Sequence, residues 1–358
     1  MKDNTAKRIR KVKNFLKKNN LQAILVTNLI NIRYLSGFTG TTASMIVTQN
    51  KSFFITDFRY IEQSEKEVTC SKILEFRSSV EGAADVCKKE KIKKLAVEEG
   101  NLTLSLFNNL KKTLSSVKLM PVSGIIEKFR SIKDEAEINL IRDAIIISNK
   151  SLAQTMPVIK AGISERDVAV ELEYRLKKLG AEKMAFDFIV ASGYRSALPH
   201  GVGGNKKIKH GDIITIDFGC VYKGYHSDIT RTFCLGKASA EKLRIYNLVF
   251  KAQSAALRGA KSGIACGELD AYARDVFTKE NMGRYFGHGL GHGVGLDIHE
   301  EPAVTKGIKQ KIEEGMVLTI EPGLYIPGKF GVRIEDMVLI KKEGAEVLTK
   351  QIKKIFEL

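Results

Sequence analysis

The chain has 358 residues, 44% of them hydrophobic, enough for about two domains of roughly 100 to 200 residues with sizeable cores. Its formal charge of +17 sits mainly on lysine clusters at 7–18, 88–94 and 206–209. These interleave with apolar residues and read as solvated faces, and no aromatic-rich basic module or zinc-finger spacing argues for a nucleic-acid partner. Five cysteines without a CxxC pair suit reduced thiols, and neither a secretory h-region nor an apolar run of about 18 residues is present, so a cytoplasmic protein without a membrane partner is expected.

A basic amphipathic helix opens the chain. Short strands follow at 22–27, 43–48 and 52–56, with 31–40 (NIRYLSGFTG) as the link between the first two. Helical patterns at 59–67, 80–93 and 104–114 flank a further strand at 94–99. This alternation predicts a compact α/β domain over residues 1–128. From there the character changes. Residues 133–159 form a long helical pattern with acids in its first turn, and 164–180 form a second that starts on a Ser-x-x-Asp cap signal. Helical patterns recur at 239–257 and 266–282, each pair leading into strand-rich sequence. Residues 129–358 therefore read as an α+β domain with an internal duplication.

The duplication is sharpest in two strands. GDIITIDFG at 211–219 returns as GMVLTIEPG at 315–323, with Asp217 and Glu321 each six residues after the first glycine. Each strand is followed by a turn and a second acidic strand. A turn centred between Tyr222 and Lys223 sets Asp217 opposite Asp228, and one centred on Gly328 sets Glu321 opposite Glu335. Paired residues on a hairpin have Cβ atoms about 4.5–5.5 Å apart, so like charges there are destabilising unless a cation binds them. Two such hairpins predict a divalent metal centre. Oxygen-rich ligation points to Mn²⁺, or else Co²⁺ or Zn²⁺, and four carboxylates suit two ions.

Three of the six histidines, His288, His292 and His299, fall within FGHGLGHGVGLDIHEEP, and His200 lies in SGYRSALPHG. Imidazoles among glycines suit ligation or proton transfer. His210 and His226 have no such company and read as ordinary core or surface residues. The glycine-rich run lacks the Lys-Ser/Thr of a P-loop and the strand–helix context of a dinucleotide fold, and there is no HExxH.

The ordered set SGYRSALPHG, TIDFG, SDITRTF, GHGLGHGVGLDIHEEP, TIEPGLY and GVRIEDMV resembles the pita-bread metallopeptidases of family M24. YLSGFTGTTASMIVT and FFITDFRYIEQ resemble the N-terminal domain of their Xaa-Pro aminopeptidase and prolidase branch. The resemblance implies an α+β pita-bread catalytic domain behind a smaller α/β creatinase/prolidase-type domain. It also implies metal ligands Asp217, Asp228, His292, Glu321 and Glu335, with Asp228 and Glu335 shared by two ions.

The resemblance further implies that His200, His288 and His299 face the substrate while Tyr325 and Arg333 orient the ligands. Glu321 would relay a proton, His299 would stabilise the oxyanion and His200 would position the scissile bond. The expected activity is Xaa-Pro aminopeptidase, hydrolysing the N-terminal Xaa-Pro bond through a metal-bridging hydroxide. The alternative is an Xaa-Pro dipeptidase (prolidase), and a binding module without metal is a third reading. Some dipeptidases of the family carry an arginine where this chain has Ala303, and its lack favours the aminopeptidase. A peptide with proline at its second position and a second copy of the chain, in a homodimer, are the expected partners.

Overall fold

The computed structural model describes residues 2–349. The chain divides into two compact units, Met1–Arg130 and Ser131–Leu358. In the first, α1 (Lys2–Lys18), β1 (Ala23–Val26), α2 (Leu29–Ser36), β2 (Ser44–Thr48) and β3 (Ser52–Thr56) come first. They are followed by α3 (Ile61–Glu67), β4 (Lys72–Glu75), α4 (Ser79–Lys89), β5 (Lys94–Glu98), α5 (Leu104–Thr113), β6 (Lys118–Val122) and α6 (Ile125–Ser131). The six strands form one sheet in the order β4-β3-β2-β1-β5-β6. β1, β2 and β3 run antiparallel in sequence, whereas β4, β5 and β6 are each parallel to their inner neighbour. Every residue of β1, β2 and β3 is buried, so these strands read as continuous apolar runs rather than alternating ones. Ala83, Val86 and Cys87 of α4 and Leu110 of α5 share one core with Leu25, Ile46 and Leu95 of the sheet.

Four elements here differ from the sequence expectation: α2, β4, β6 and the short α6. The segment expected to be a link contains α2, whose first turn is capped by the Asn28 side chain and whose end is closed by Gly37 at φ 81°. β4 and β6 carry charged residues or proline at the sheet edges and are only partly buried, so no apolar run announces them.

The second unit has two similar halves. One runs α7 (Glu135–Thr155), α8 (Glu165–Lys178), β7 (Lys183–Met184), β8 (Ile189–Ser192), β9 (Ile213–Phe218), β10 (Cys220–Tyr222), β11 (Tyr225–His226) and β12 (Ile229–Cys234). The other begins with α9 (Ala240–Gly259), α10 (Cys266–Lys279), β13 (Gly291–Gly293) and β14 (Glu300–Val304). It closes with β15 (Val317–Ile320), β16 (Gly323–Ile326), β17 (Phe330–Arg333), β18 (Asp336–Lys341) and β19 (Gly344–Val347). Each half is a pair of packed helices followed by antiparallel strands. Capping boxes start α7, from Asp134 and Glu137, and α8, from Ser164 and Asp167, as the Ser-x-x-Asp signal at α8 leads one to expect.

The hairpin registers decide where the acids fall. In the second half Gly323 pairs with Arg333 and Ile320 with Asp336, so the register on both sides carries Glu321 opposite Glu335, about the expected centre at Gly328. In the first half Asp217 pairs with Thr230, not with Asp228. The correction has a local cause. Tyr222 pairs with Tyr225, and Lys223 and Gly224 form the two-residue turn, both at positive φ (47° and 85°) as a type I′ hairpin turn requires. Centring the turn one residue later shifts every partner by two, and because the side-chain period is two the acids stay on one face.

Leu269, Ala273 and Phe277 form the buried stripe of α10 against Ile245, Val249 and Ala252 of α9, in the core that backs β15 and β18. Phe277 is fully buried and meets the Phe286 ring edge-on at 5.3 Å. Phe277→Ala is expected to cost about 3–5 kcal/mol in chemical denaturation, since the rigid helix pair cannot close the cavity. A loss below about 1 kcal/mol would show that the helix pair relaxes into it.

Candidate metal centre and catalytic cavity

Four short elements deliver the carboxylates. Asp217 lies in β9, Asp228 just before β12, Glu321 between β15 and β16, and Glu335 between β17 and β18. His292 is the middle residue of β13. All five line one cavity of about 910 Å³, together with His200, His288, His299, Tyr325 and Arg333. Asp228, His292 and Glu335 offer ligand atoms within 4.8 Å of one another. His292 Nε2 lies 3.5 Å from Asp228 Oδ2 and 3.4 Å from Glu321 Oε1. The close approach of β13 requires Gly291, where a Cβ would overlap the Thr319 carbonyl.

Hydrogen bonds fix these groups individually. Thr230 Oγ1 donates to Glu335 Oε2 at 2.7 Å, and Thr319 Oγ1 donates to Glu321 Oε1 at 3.1 Å while accepting from His292 N at 3.0 Å. Arg333 donates to Asp217 Oδ2 at 2.6 Å, to the Tyr325 hydroxyl at 2.7 Å and to Thr230 Oγ1 at 3.0 Å. Burial opposes the charge of Arg333, but Tyr325, Asp217 and Glu321 outweigh it and hold the guanidinium protonated well past its ordinary value.

The cluster fits a divalent cation. Desolvation first, and then repulsion from Glu335, Asp217 and Glu321, pushes the Asp228 carboxyl well above its usual range. Desolvation and the charges of Glu321 and Asp217 do the same to Glu335, and burial raises Glu321. Asp217 Oδ1 is buried without a hydrogen-bond partner. His292 Nδ1 faces the Gly293 carbonyl at 3.0 Å and must donate to it, which turns the Nε2 lone pair toward two carboxylates. A lone pair and several anions aimed at one another are stable only around a positive charge. The donor set of carboxylates and imidazole without thiolate suits a hard or borderline ion.

The remaining histidines stand around this cluster. The His299 ring lies 4.4 Å from that of His292. His288 Nδ1 donates to the Gly289 carbonyl at 2.7 Å, so its Nε2 accepts from the Tyr325 hydroxyl at 3.1 Å. Burial holds His288, His292 and His299 below the ordinary imidazole value, which favours neutral rings. His226 is buried with Nδ1 3.2 Å from the Gly295 carbonyl, and neither it nor His210 lines the cavity.

Sequence reasoning passed over several groups that hold these residues. Thr230 and Thr319 lie two positions from Asp228 and Glu321; same-face spacing on an otherwise apolar strand is a signal that could have found them. Behind the histidine loops stand three carboxylates paired with cations. Glu165, fully buried, accepts from Ser192 N, Arg195 and Gly204 N around the loop that carries His200. Glu300, bonded to Lys133 at 2.8 Å and Asp297 N at 3.1 Å, adjoins His299. Asp270 and Arg274 reach the segment of His288. Lys133 and Glu300 are 167 residues apart, and no local pattern links them.

The architecture and site agree with the comparisons. The profile of metallopeptidase family M24 matches residues 139–342, and that of the creatinase/prolidase N-terminal domain matches residues 8–132. The chain belongs to metallopeptidase family M24 and is a peptide hydrolase of the kind that works with divalent metal ions. It is similar to a solved Xaa-Pro dipeptidase from Bacillus anthracis, 41% identical with a TM-score of 0.97 over 99% of this chain and 100% of that one. The Xaa-Pro dipeptidase of Pyrococcus horikoshii is 40% identical over 349 residues, 96% of this chain and 97% of its own. A solved X-Pro aminopeptidase from Thermotoga maritima is 38% identical with a TM-score of 0.89, over 95% and 98% of the two chains. The dipeptidases among these relatives favour the alternative activity over the aminopeptidase expected from the sequence.

The raised carboxyls make a pH prediction for the metal-free protein. A carboxyl with a raised folded-state pKa contributes stability that is full below the unfolded value, about 4, and is lost as pH rises through the folded value. Glu335→Gln, which keeps the shape without the charge, is therefore expected to match the metal-free wild type in mild acid and to exceed its thermal midpoint increasingly toward neutral pH. A pH-independent difference in midpoint would contradict the crowding of charges described here.

Proposed function

We propose that this protein is an Xaa-Pro dipeptidase that cleaves the peptide bond preceding a C-terminal proline, with two Mn²⁺ ions as its working metals. The observation that carries the hydrolytic reading is the convergence of four carboxylates, three of them buried and Glu321 partly so, and the His292 Nε2 lone pair on one cavity. The dipeptidase reading is supported by the relatives of that activity at 38–41% identity over nearly the full chain. Ala303 does not weigh against it, because the cavity is also lined by the exposed guanidinium of Arg284, a candidate partner for a terminal carboxylate.

Asp217, Asp228, His292, Glu321 and Glu335 would hold the ions, whose contribution is to acidify water and polarise the scissile carbonyl. The chain's own groups do the rest. Glu321, held by the Thr319 hydroxyl, takes a proton from the attacking water and passes it to the leaving proline nitrogen. Neutral His299 donates an N–H to the developing oxyanion, and His200 positions the bond to be cut. His288, braced through Tyr325 by Arg333, borders the place of the proline ring.

The test is hydrolysis of Ala-Pro and Ala-Pro-Ala in parallel by Mn²⁺-loaded protein, with Glu335→Ala as control. Cleavage of the dipeptide alone, reduced by at least about a thousandfold in the control, is expected, since a lost ligand removes the whole metal contribution. Cleavage of the tripeptide would make the protein an aminopeptidase, and cleavage of neither would end the proline-specific reading.

A further inference from the structure

The ion pair between Asp270 and Arg274 lies one helical turn apart on α10, and the side chain of Asp270 is 1% exposed. The contact is two-pronged, from Arg274 Nε to Asp270 Oδ2 at 2.7 Å and from Nη2 to Oδ1 at 2.9 Å. On a solvated helix face such a pair adds little to stability. This one faces inward, and its remaining polar capacity goes to a single segment. Arg274 donates to the carbonyls of Phe286 at 3.1 Å and His288 at 2.8 Å, and Asp270 accepts from Leu290 N at 3.1 Å.

These are alternate residues of a stretch that belongs to no strand, since β13 begins only at Gly291. An adjacent strand would bond alternate backbone groups in the same manner, so the pair takes the place of a missing ladder and satisfies buried backbone groups that need partners. The guanidinium also lies 4.3 Å from the centroid of the Phe286 ring, whose own centroid is 5.0 Å from that of His288. On the far side His288 meets the Tyr325 hydroxyl. The imidazole is thus set from behind by the pair and from the front by Tyr325.

We infer that Asp270 and Arg274 are positioning residues that set His288 in the catalytic cavity and thereby fix how the proline end of the substrate is held. The inference rests on the reading of His288 as a substrate-facing residue. A double-mutant cycle on Mn²⁺-loaded protein tests it, with Arg274→Met, His288→Ala and the combination assayed for kcat and KM on Ala-Pro, and bound metal and thermal midpoint measured alongside. A misplacement of about 1 Å can cost a hundredfold, so Arg274→Met is expected to lower kcat/KM by roughly ten- to a hundredfold, mainly through KM. In the His288→Ala background the same change is expected to cost less than about twofold, because coupled residues are not additive.

Arg274→Lys, which keeps the charge but loses the fork, should fall between the two, and together with Asp270→Asn it carries the cycle if Arg274→Met does not fold. Equal losses in both backgrounds, or full kcat/KM in Arg274→Met, would overturn the inference while leaving His288 its role. Full kcat/KM in His288→Ala would overturn the reading of His288 itself, and the inference with it.

Discussion

The structure of the second unit turns on one electrostatic constraint, that several carboxylates share a buried place with little to neutralise them. Asp228 and Glu335 pay in desolvation and again in mutual repulsion, and Arg333 reaches only one side of the cluster, at Asp217. A fold that keeps such groups together must protonate them or lend them a cation. The duplicated architecture follows from this need. Each half supplies a hairpin with two acids, so a place suited to divalent ions arises where the halves meet, out of backbone that each half would form anyway.

Crowding alone would not hold the ligand atoms at useful distances. The hydroxyls of Thr230 and Thr319 each take one oxygen of a glutamate, leaving the other free, and the backbone of Glu335 is tied to Arg231, which is itself paired with buried Asp336. Metal-binding carboxylates and imidazoles gain their orientation from such partners. The histidine loops obey the same logic on a larger scale. Each is irregular backbone, and each is fastened by one carboxylate and one cation, Glu165 with Arg195, Asp270 with Arg274 and Glu300 with Lys133. Buried ion pairs add little net stability compared with apolar packing, so what these pairs supply is a fixed course for the loops.

Much of this was legible in the sequence. Helical periodicity marked α7 to α10, with first-turn acids at α7 and a cap signal at α8, and the repeated acid after a glycine-led strand disclosed both the duplication and the carboxylate cluster. The second register was readable because its turn is symmetric about Gly328. The first was not, because the choice between Tyr222-Lys223 and Lys223-Gly224 depends on which residue tolerates positive φ. Lys223 there is an unfavourable residue that the following glycine and the hairpin twist make acceptable. α2 was hidden by a composition that suits a link as well as a short helix, and its markers, Asn28 and Gly37, lie at its ends. The ion pairs behind the histidine loops were beyond reach in two cases, since their partners are distant in sequence. In the third, an Asp and an Arg four apart on a helix look like any solvated pair.

The relatives favour the dipeptidase over the aminopeptidase expected from the sequence, and there is a physical reason why sequence separates the two poorly. In the proposed reading the reacting bond is handled by the carboxylates and His292, His299 and His200, which line one cavity and would serve the two activities alike. What separates them is whether the space beyond the proline ring ends in a cation for a terminal carboxylate or stays open for further residues. Arg284 and Tyr285 from one short turn, Ile298 from the loop of His299, and Pro327 from the turn after β16 also line the cavity. A single position such as Ala303 cannot report on it, because a positive charge can enter the same volume from any of several backbone segments. The length of substrate is therefore a property of the cavity's outer wall, set independently of the centre that breaks the bond.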